Sequence, residues 1–279
     1  VTTRRSFLVL SALASPAFAA NRLNLSSIPT RKVGPVAKVF DTPGPKPNGL
    51  QATAEGLWIM DQGDNHVYLV DYNSGRVLRD LPTEADKASG ITHDGEALWL
   101  ASTYSRELIR SNAKTGATIQ KHFTPGAGVI YRMTGDAPGR RSPLAPAPPA
   151  ATAPPPSPPA KKKLNTTGTG AHGLEWRDRK LWVAVPPSRM VYRIDPKSWT
   201  VEHAFPTAGN RPHGIGWEGR SLWVTDSNLN AFFKHDPETG AIEEKIQLAD
   251  SDPLPHGMTI WKNTLWYCDD VGIVCRLAL

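Results

Sequence analysis

Between Pro212 and Gln247, apolar runs at Gly214–Trp217, Leu222–Thr225, Ala231–His235 and 241–247 alternate with turn signals at Gly219-Arg220 and Asp236-Pro237-Glu238-Thr239-Gly240. Runs this short, bounded by Gly and Asp, predict four strands joined by tight turns. The pattern returns along the chain. A Gly stands nine residues ahead of the Trp of a Leu-Trp pair at Gly49/Trp58, Gly90/Trp99, Gly173/Trp182, Gly214/Trp223 and Gly257/Trp266. The second turn recurs as Asp71-Tyr72-Asn73-Ser74-Gly75 and Asn112-Ala113-Lys114-Thr115-Gly116, and in altered form as Asp195-Pro196-Lys197-Ser198-Trp199. An Asx residue opens such a turn by accepting backbone N–H groups beyond it, and Gly closes it at positive φ. Four strands in about 40 residues is the signature of a propeller blade.

The chain ends strengthen that reading. The last repeat stops after a third strand, and the segment Phe40–Gly49 matches Phe205–Gly214 in phase, so Val36–Phe40 is expected to pair with Ile273–Leu277 as the missing fourth strand. The expected fold is all-β, a five-bladed β-propeller closed by N-terminal strand pairing with the last blade, with six blades as the alternative. The alternative arises because successive Trp residues lie 41, 83, 41 and 43 apart, an excess of one repeat in the second interval. Residues 139–163, GRRSPLAPAPPAATAPPPSPPAKKK, cannot build a strand ladder, which favours five blades with a Pro-rich insertion at about 136–167 in a single domain spanning 21–279.

Composition then narrows the function classes. Residues 1–20 carry an Arg4-Arg5 pair, an apolar run and an Ala17-Phe18-Ala19 site, the pattern of a twin-arginine-type export signal, so a periplasmic protein is expected. The formal charge is +6, but seven of the cations (Arg4, Arg5, Arg140, Arg141, Lys161, Lys162, Lys163) belong to the signal or the insertion, and the remainder sums to −1. A nearly neutral body argues against a nucleic-acid groove. No later stretch is long enough for a membrane span. The two cysteines, Cys268 and Cys275, fall on adjacent expected strands, where either a disulfide or paired buried thiols would fit.

The residue before each repeated Gly reads Asn48, Ser89, His172, His213 and His256. In a propeller these equivalent positions converge at one mouth of the axial channel. His172, His213 and His256 are therefore the candidate catalytic residues, since converging imidazoles serve as general bases or hold a divalent metal (Mg, Ca or Zn). A second column follows each Trp by three: Asp61, Ser102, Val185, Asp226 and Asp269. Asp226 and Asp269 join the three histidines as candidate metal ligands, the column having inter-blade turn capping as its other reading. Asn48, Ser89, Tyr131 and Arg132 are the candidate substrate-binding residues, the last two as part of a lid with Arg140 and Arg141. The expected partner is a small molecule or peptide at the channel mouth of a monomer.

The repeats resemble the YVTN/NHL-like propeller superfamily, and the phrase Pro212-His213-Gly214-Ile215 with Leu222-Trp223-Val224-Thr225-Asp226 is most similar to streptogramin (virginiamycin B) lyases. That resemblance implies elimination chemistry with a His base and Mg2+, the base being His213 or His256. The Glu-x-His pair of that family is missing from the first strands here, Glu202 and His203 falling on an outer strand. A five-bladed ring is also similar to glutaminyl cyclotransferases, for which Glu175 is the one available first-strand acid, and to gluconolactonase-like propellers with an axial cation. The expected function is a metal-assisted lyase or hydrolase, with a non-catalytic binding scaffold and a glutaminyl cyclotransferase as alternatives.

Overall fold

The computed structural model describes residues 24–146 and 168–279, so the export-signal reading of residues 1–20 and the middle of the Pro-rich insertion lie outside it. Twenty strands form five four-stranded antiparallel sheets. The first blade is β2 (Pro47–Thr53), β3 (Gly56–Asp61), β4 (His66–Val70) and β5 (Val77–Pro82); the second is β6 (Gly90–His93), β7 (Ala97–Ser102), β8 (Glu107–Asn112) and β9 (Thr118–Phe123). The third is β10 (Gly173–Arg177), β11 (Lys180–Val185), β12 (Met190–Asp195) and β13 (Thr200–Pro206), and the fourth is β14 (Pro212–Glu218), β15 (Ser221–Asp226), β16 (Ala231–His235) and β17 (Ile242–Gln247). The fifth runs β18 (Met258–Trp261), β19 (Thr264–Asp269), β20 (Ile273–Ala278) and then β1 (Ala37–Asp41). Phe40 pairs with Val274 and Asp41 with Ile273, which closes the ring as expected and leaves the six-bladed alternative without a sheet among the described residues. No helix of the described residues is long and apolar enough to cross a membrane.

Local chemistry explains the regularity. The side chains of Asp71, Asn112, Asp195 and Asp236 each accept two backbone N–H groups two and three residues on. The turns end at φ of 69° to 75° for Gly75, Gly116 and Gly240, while Trp199 takes φ 54° in the altered third turn. Between blades the Trp column makes the core. Trp58 packs on Ile91 and Leu98 of the second blade, Trp99 on Leu174 and Leu181, Trp182 on Ile215 and Leu222, Trp223 on Met258 and Leu265, and Trp266 on Leu50 and Leu57 of the first. Each indole thus fills the gap to the next blade, the apolar burial that drives closure.

The repeated Gly has a separate task. A Cβ on Gly173 would strike the backbone of His213, one on Gly214 the backbone of Gly257 and Met258, and one on Gly257 the backbone of Asn48. Only Gly lets the inner strands approach this closely. That approach draws the preceding residues, His172, His213, His256 and Asn48, onto the axis.

The cysteines do not form a disulfide. β19 and β20 are adjacent, but Cys268 stands opposite Val274 and Cys275 opposite Tyr267. A one-residue offset sends the two thiols to opposite faces of the sheet. Cys268 joins the core shared with the first blade and Cys275 the core shared with the fourth. Alkylation of protein unfolded without reductant is expected to label two thiols per chain, and an unlabelled pair released only by reductant would contradict this register.

Candidate active site

Three imidazoles meet where the inner strands begin. His213, on β14, and His256, just ahead of β18, are each 1% exposed; His172, just ahead of β10, is half-buried. The His213 ring lies 4.7 Å from both His172 and His256, edge-on to each. Backbone acceptors set the proton positions. His213 Nδ1 faces the Arg211 carbonyl at 3.0 Å and the Ser227 hydroxyl at 3.1 Å, and that hydroxyl donates to the Pro255 carbonyl at 2.6 Å. A carbonyl only accepts, so His213 carries its proton on Nδ1 and its Nε2 accepts from His172 Nδ1 at 3.1 Å. This leaves His172 Nε2 as the acceptor nitrogen, with the Thr169 hydroxyl donating to it at 2.9 Å. Burial is the first cause that pushes His172 down to about 3, His256 to about 4 and His213 well below the usual histidine range, with the Arg211 charge adding to each. At neutral pH all three are uncharged.

The Asp column caps and positions loops. Asp61 accepts the N–H of Lys46 at 2.7 Å and of Gly63 at 2.7 Å; Asp226 accepts that of Arg211 at 2.9 Å and of Asn228 and Leu229 at 3.0 Å. Neither carboxylate touches an imidazole, and both oxygens of each are spent on backbone. Asp269 departs from the pattern. Its Oδ2 accepts from Leu254 N at 2.8 Å and Ser142 Oγ at 2.6 Å, but Oδ1 is buried without a partner. The physical reason is a shortened turn. Asp61 and Asp226 lead to a positive-φ residue four positions on (Asn65, Asn230), Asp269 to Gly272 only three on, so the amides that would cap Oδ1 are missing. His256 Nε2 is likewise buried and unpartnered, with Asp270 Oδ2 at 3.8 Å. Among the described residues, His256, Asp269 and Asp270 are the group whose ligand atoms all fall within 4.8 Å of one another. Two orphaned buried atoms, His256 Nε2 and Asp269 Oδ1, and a second carboxylate, Asp270, fit a divalent cation. His172, His213 and Asp226, also expected as ligands, are outside that group.

A cavity of about 340 Å3 opens over the histidines, lined by Lys46, Asn48, Gln62, Thr103, Tyr104, Val129, Ile130, Thr169, His172, Arg211, His213 and Asp270. Asn48 Oδ1 is buried there without a partner. Ser89 is fully buried beside it, its hydroxyl 2.9 Å from Gln62 Nε2 and from Thr103 Oγ1, and it does not reach the cavity. The insertion crosses this mouth. Gly128 and Thr169 bridge its outgoing and returning legs, Asp136 pairs with Arg189 at 2.7 Å, Arg140 with Asp250 at 2.8 Å, and Ser142 reaches Asp269. Val129 and Ile130 face the cavity, whereas Tyr131 and Arg132 point to solvent and do not line it, and Arg141 is exposed. Sequence reasoning passed over Lys46, Arg211 and Asp270. The first two share a phase two residues before the ring position, a signal that was available.

A larger cleft of about 620 Å3 between the third and fourth blades holds no comparable chemistry. Its Lys180 and Arg193 are ion-paired with Asp195 and Glu238, and Arg177 stacks on Trp217 while donating to the Gly219 carbonyl. Glu175, the first-strand acid, is buried below the mouth near Thr259 and Gln51 and does not line the cavity.

No family model and no curated protein matches this sequence. Among solved structures, the chain is similar to the glutaminyl cyclase of Myxococcus xanthus, at 10% identity over 90% of this chain and 98% of that one, with a TM-score of 0.60. It also matches a virginiamycin B lyase of Staphylococcus aureus, at 19% identity over 86% and 68% with a TM-score of 0.48. A further match is BamB of Moraxella catarrhalis, at 10% identity over 82% and 71% with a TM-score of 0.39. At these identities the likeness is one of fold: the chain is a β-propeller. Propellers host many unrelated activities, so function is argued from the site.

Proposed function

We propose that the channel mouth is the active site of a lyase or hydrolase acting on a small molecule, lactone or peptide, in an exported protein. The observation that supports it best is the ordered pair His172–His213, kept neutral and fixed in one tautomer beneath a cavity of ligand size. His172 is the general base. Its Nε2 faces the cavity side through the Thr169 hydroxyl, a position that a substrate proton donor takes on binding. His213 holds the ring in place, its Nε2 accepting from His172 Nδ1, much as a carboxylate does in a triad but without adding charge. Asn48 Oδ1 accepts a hydrogen bond from the ligand. His256, Asp269 and Asp270 hold a divalent cation (Mg, Ca or Zn), which supplies polarisation of a substrate carbonyl when bound.

The test is a screen of lactones, cyclic peptides and small esters with chelated and Mg2+- or Zn2+-supplemented protein. Turnover is expected, falling by about 100-fold or more in His172→Gln with unchanged circular dichroism. Ligand binding without turnover in either protein would replace this reading with a non-catalytic receptor.

A further inference from the structure

The mouth cavity contains two cations whose charged groups bond to no partner among the described residues. Arg211 bonds only through its backbone: its N–H donates to Asp226, and its carbonyl accepts from His213 Nδ1 and Ser227 N. Lys46 repeats the arrangement two blades further round the ring, its N–H on Asp61 and its carbonyl accepting from Gln62 N at 2.8 Å. Neither the guanidinium nor the ammonium makes a hydrogen bond or ion pair among the described residues, yet both line the cavity. Of the other arginines bordering a cleft, Arg110, Arg177, Arg189 and Arg193 are ion-paired, and Arg179 and Arg220 are not. Removing a guanidinium from water without a partner is unfavourable, and burial accordingly lowers the Arg211 pKa, while the group remains charged. Asp61 and Asp226 anchor the loops that aim these two side chains inward, so the arrangement is built by the fold.

We propose that Arg211 and Lys46 form a carboxylate-recognition subsite, so that the ligand of this site is a small molecule bearing a single carboxylate. The inference rests on the reading of the mouth as a ligand site but not on His172 acting as a base. The charge balance selects the class. In the cation-free site, with the histidines neutral, Lys46 and Arg211 face only Asp270 in the cavity wall, an excess of one positive charge. One carboxylate closes that balance, whereas a phosphate dianion overshoots it. The planar Arg fork meets a carboxylate with two parallel hydrogen bonds.

Isothermal titration of the full chain with N-acetylglycine, its uncharged amide and inorganic phosphate tests this, with chelator present so that Asp270 keeps its charge. N-acetylglycine is expected to bind, with the amide and phosphate weaker by about tenfold or more, and Arg211→Gln is expected to lose at least about tenfold. Arg211→Lys is expected to retain part of the affinity, and Lys46→Gln, at an exposed position, to lose several-fold without affecting the fold. Binding of N-acetylglycine by the parent is read without any turnover, so that a failed turnover screen leaves this inference standing. Equal binding of acid and amide, tighter binding of phosphate, or unchanged affinity in both folded Lys46→Gln and Arg211→Lys would overturn it.

Discussion

Between pH 5.5 and 4 the chelated protein is expected to lose stability steeply and to unfold, followed by the fluorescence of its nine tryptophans. The cause is histidine. His172 is held down at about 3, His235 at about 4 and His213 well below its usual range, burial being the largest cause for each. In the unfolded chain these rings titrate near 6.5, so below that pH the unfolded state binds more protons than the folded one. Stability from these groups is therefore complete above about pH 6.5 and is lost as pH falls towards the folded values. Each group contributes about 1.4 kcal/mol per pH unit, so the three together contribute about 4 kcal/mol per unit in that window. A typical domain has only about 5–15 kcal/mol to lose. His235 is remote from the mouth and bonds the Gly240 carbonyl through Nδ1, so a His235→Gln variant should shift the acid midpoint without touching ligand binding. Stability that stays level from pH 6 to 4 would show that water or protons reach these rings in the folded state.

How far the sequence reveals this molecule depends on which features repeat. The blades are legible because each depends on local chemistry that recurs: an Asx turn, a Gly that admits the next inner strand, an indole between blades. Ring closure follows from the same phase. The convergence of His172, His213 and His256 is legible for that reason too, since a column in register becomes a ring in space. What breaks phase is not legible. Nor is a column with no shared residue type: Asp270 keeps phase with Gln62 and Thr103, which also line the cavity, but that column reads Gln62, Thr103, Pro186, Ser227 and Asp270. Tyr131 was placed by counting forward through Gly126 and Gly128, but the chain leaves the repeat there to bridge Thr169, so Val129 and Ile130 face the cavity instead. The cysteine pairing needed the β19–β20 register, which the turn between Asp269 and Ile273 sets and no composition reveals. Arg211 was in plain view but took its meaning only from the absence of a partner, which is a property of three-dimensional surroundings.

Replacing Glu175 by Gln is expected to stabilise the protein by about 3 kcal/mol more at pH 8 than at pH 5.5 and to leave the acid limb unchanged. Glu175 sits on β10 inside the ring, 6% exposed, one carboxylate oxygen accepting from Trp176 N at 3.2 Å with Thr259 and Gln51 alongside. Burial pushes it up to about 8. A raised carboxyl runs opposite to a lowered histidine. The unfolded chain gives up this proton near pH 4.5 while the folded chain keeps it, so the folded state loses ground from there until about pH 8, where the native group ionises as well. The parent should accordingly show a stability maximum on the mildly acidic side of neutrality, bounded below by histidine and above by Glu175. Gln has the same shape and preserves both a donor and an acceptor for Thr259, Gln51 and Trp176 N, but has no proton to release, so the variant's alkaline limb should flatten. Urea unfolding of both proteins at pH 5.5 and 8 decides the matter: a stabilisation about 3 kcal/mol larger at pH 8 than at pH 5.5 is the signature of a buried neutral acid. An equal effect of the substitution at both pH values would mean that Glu175 is ionised in the folded protein, and so held by a cationic group that reaches the channel from outside the described residues.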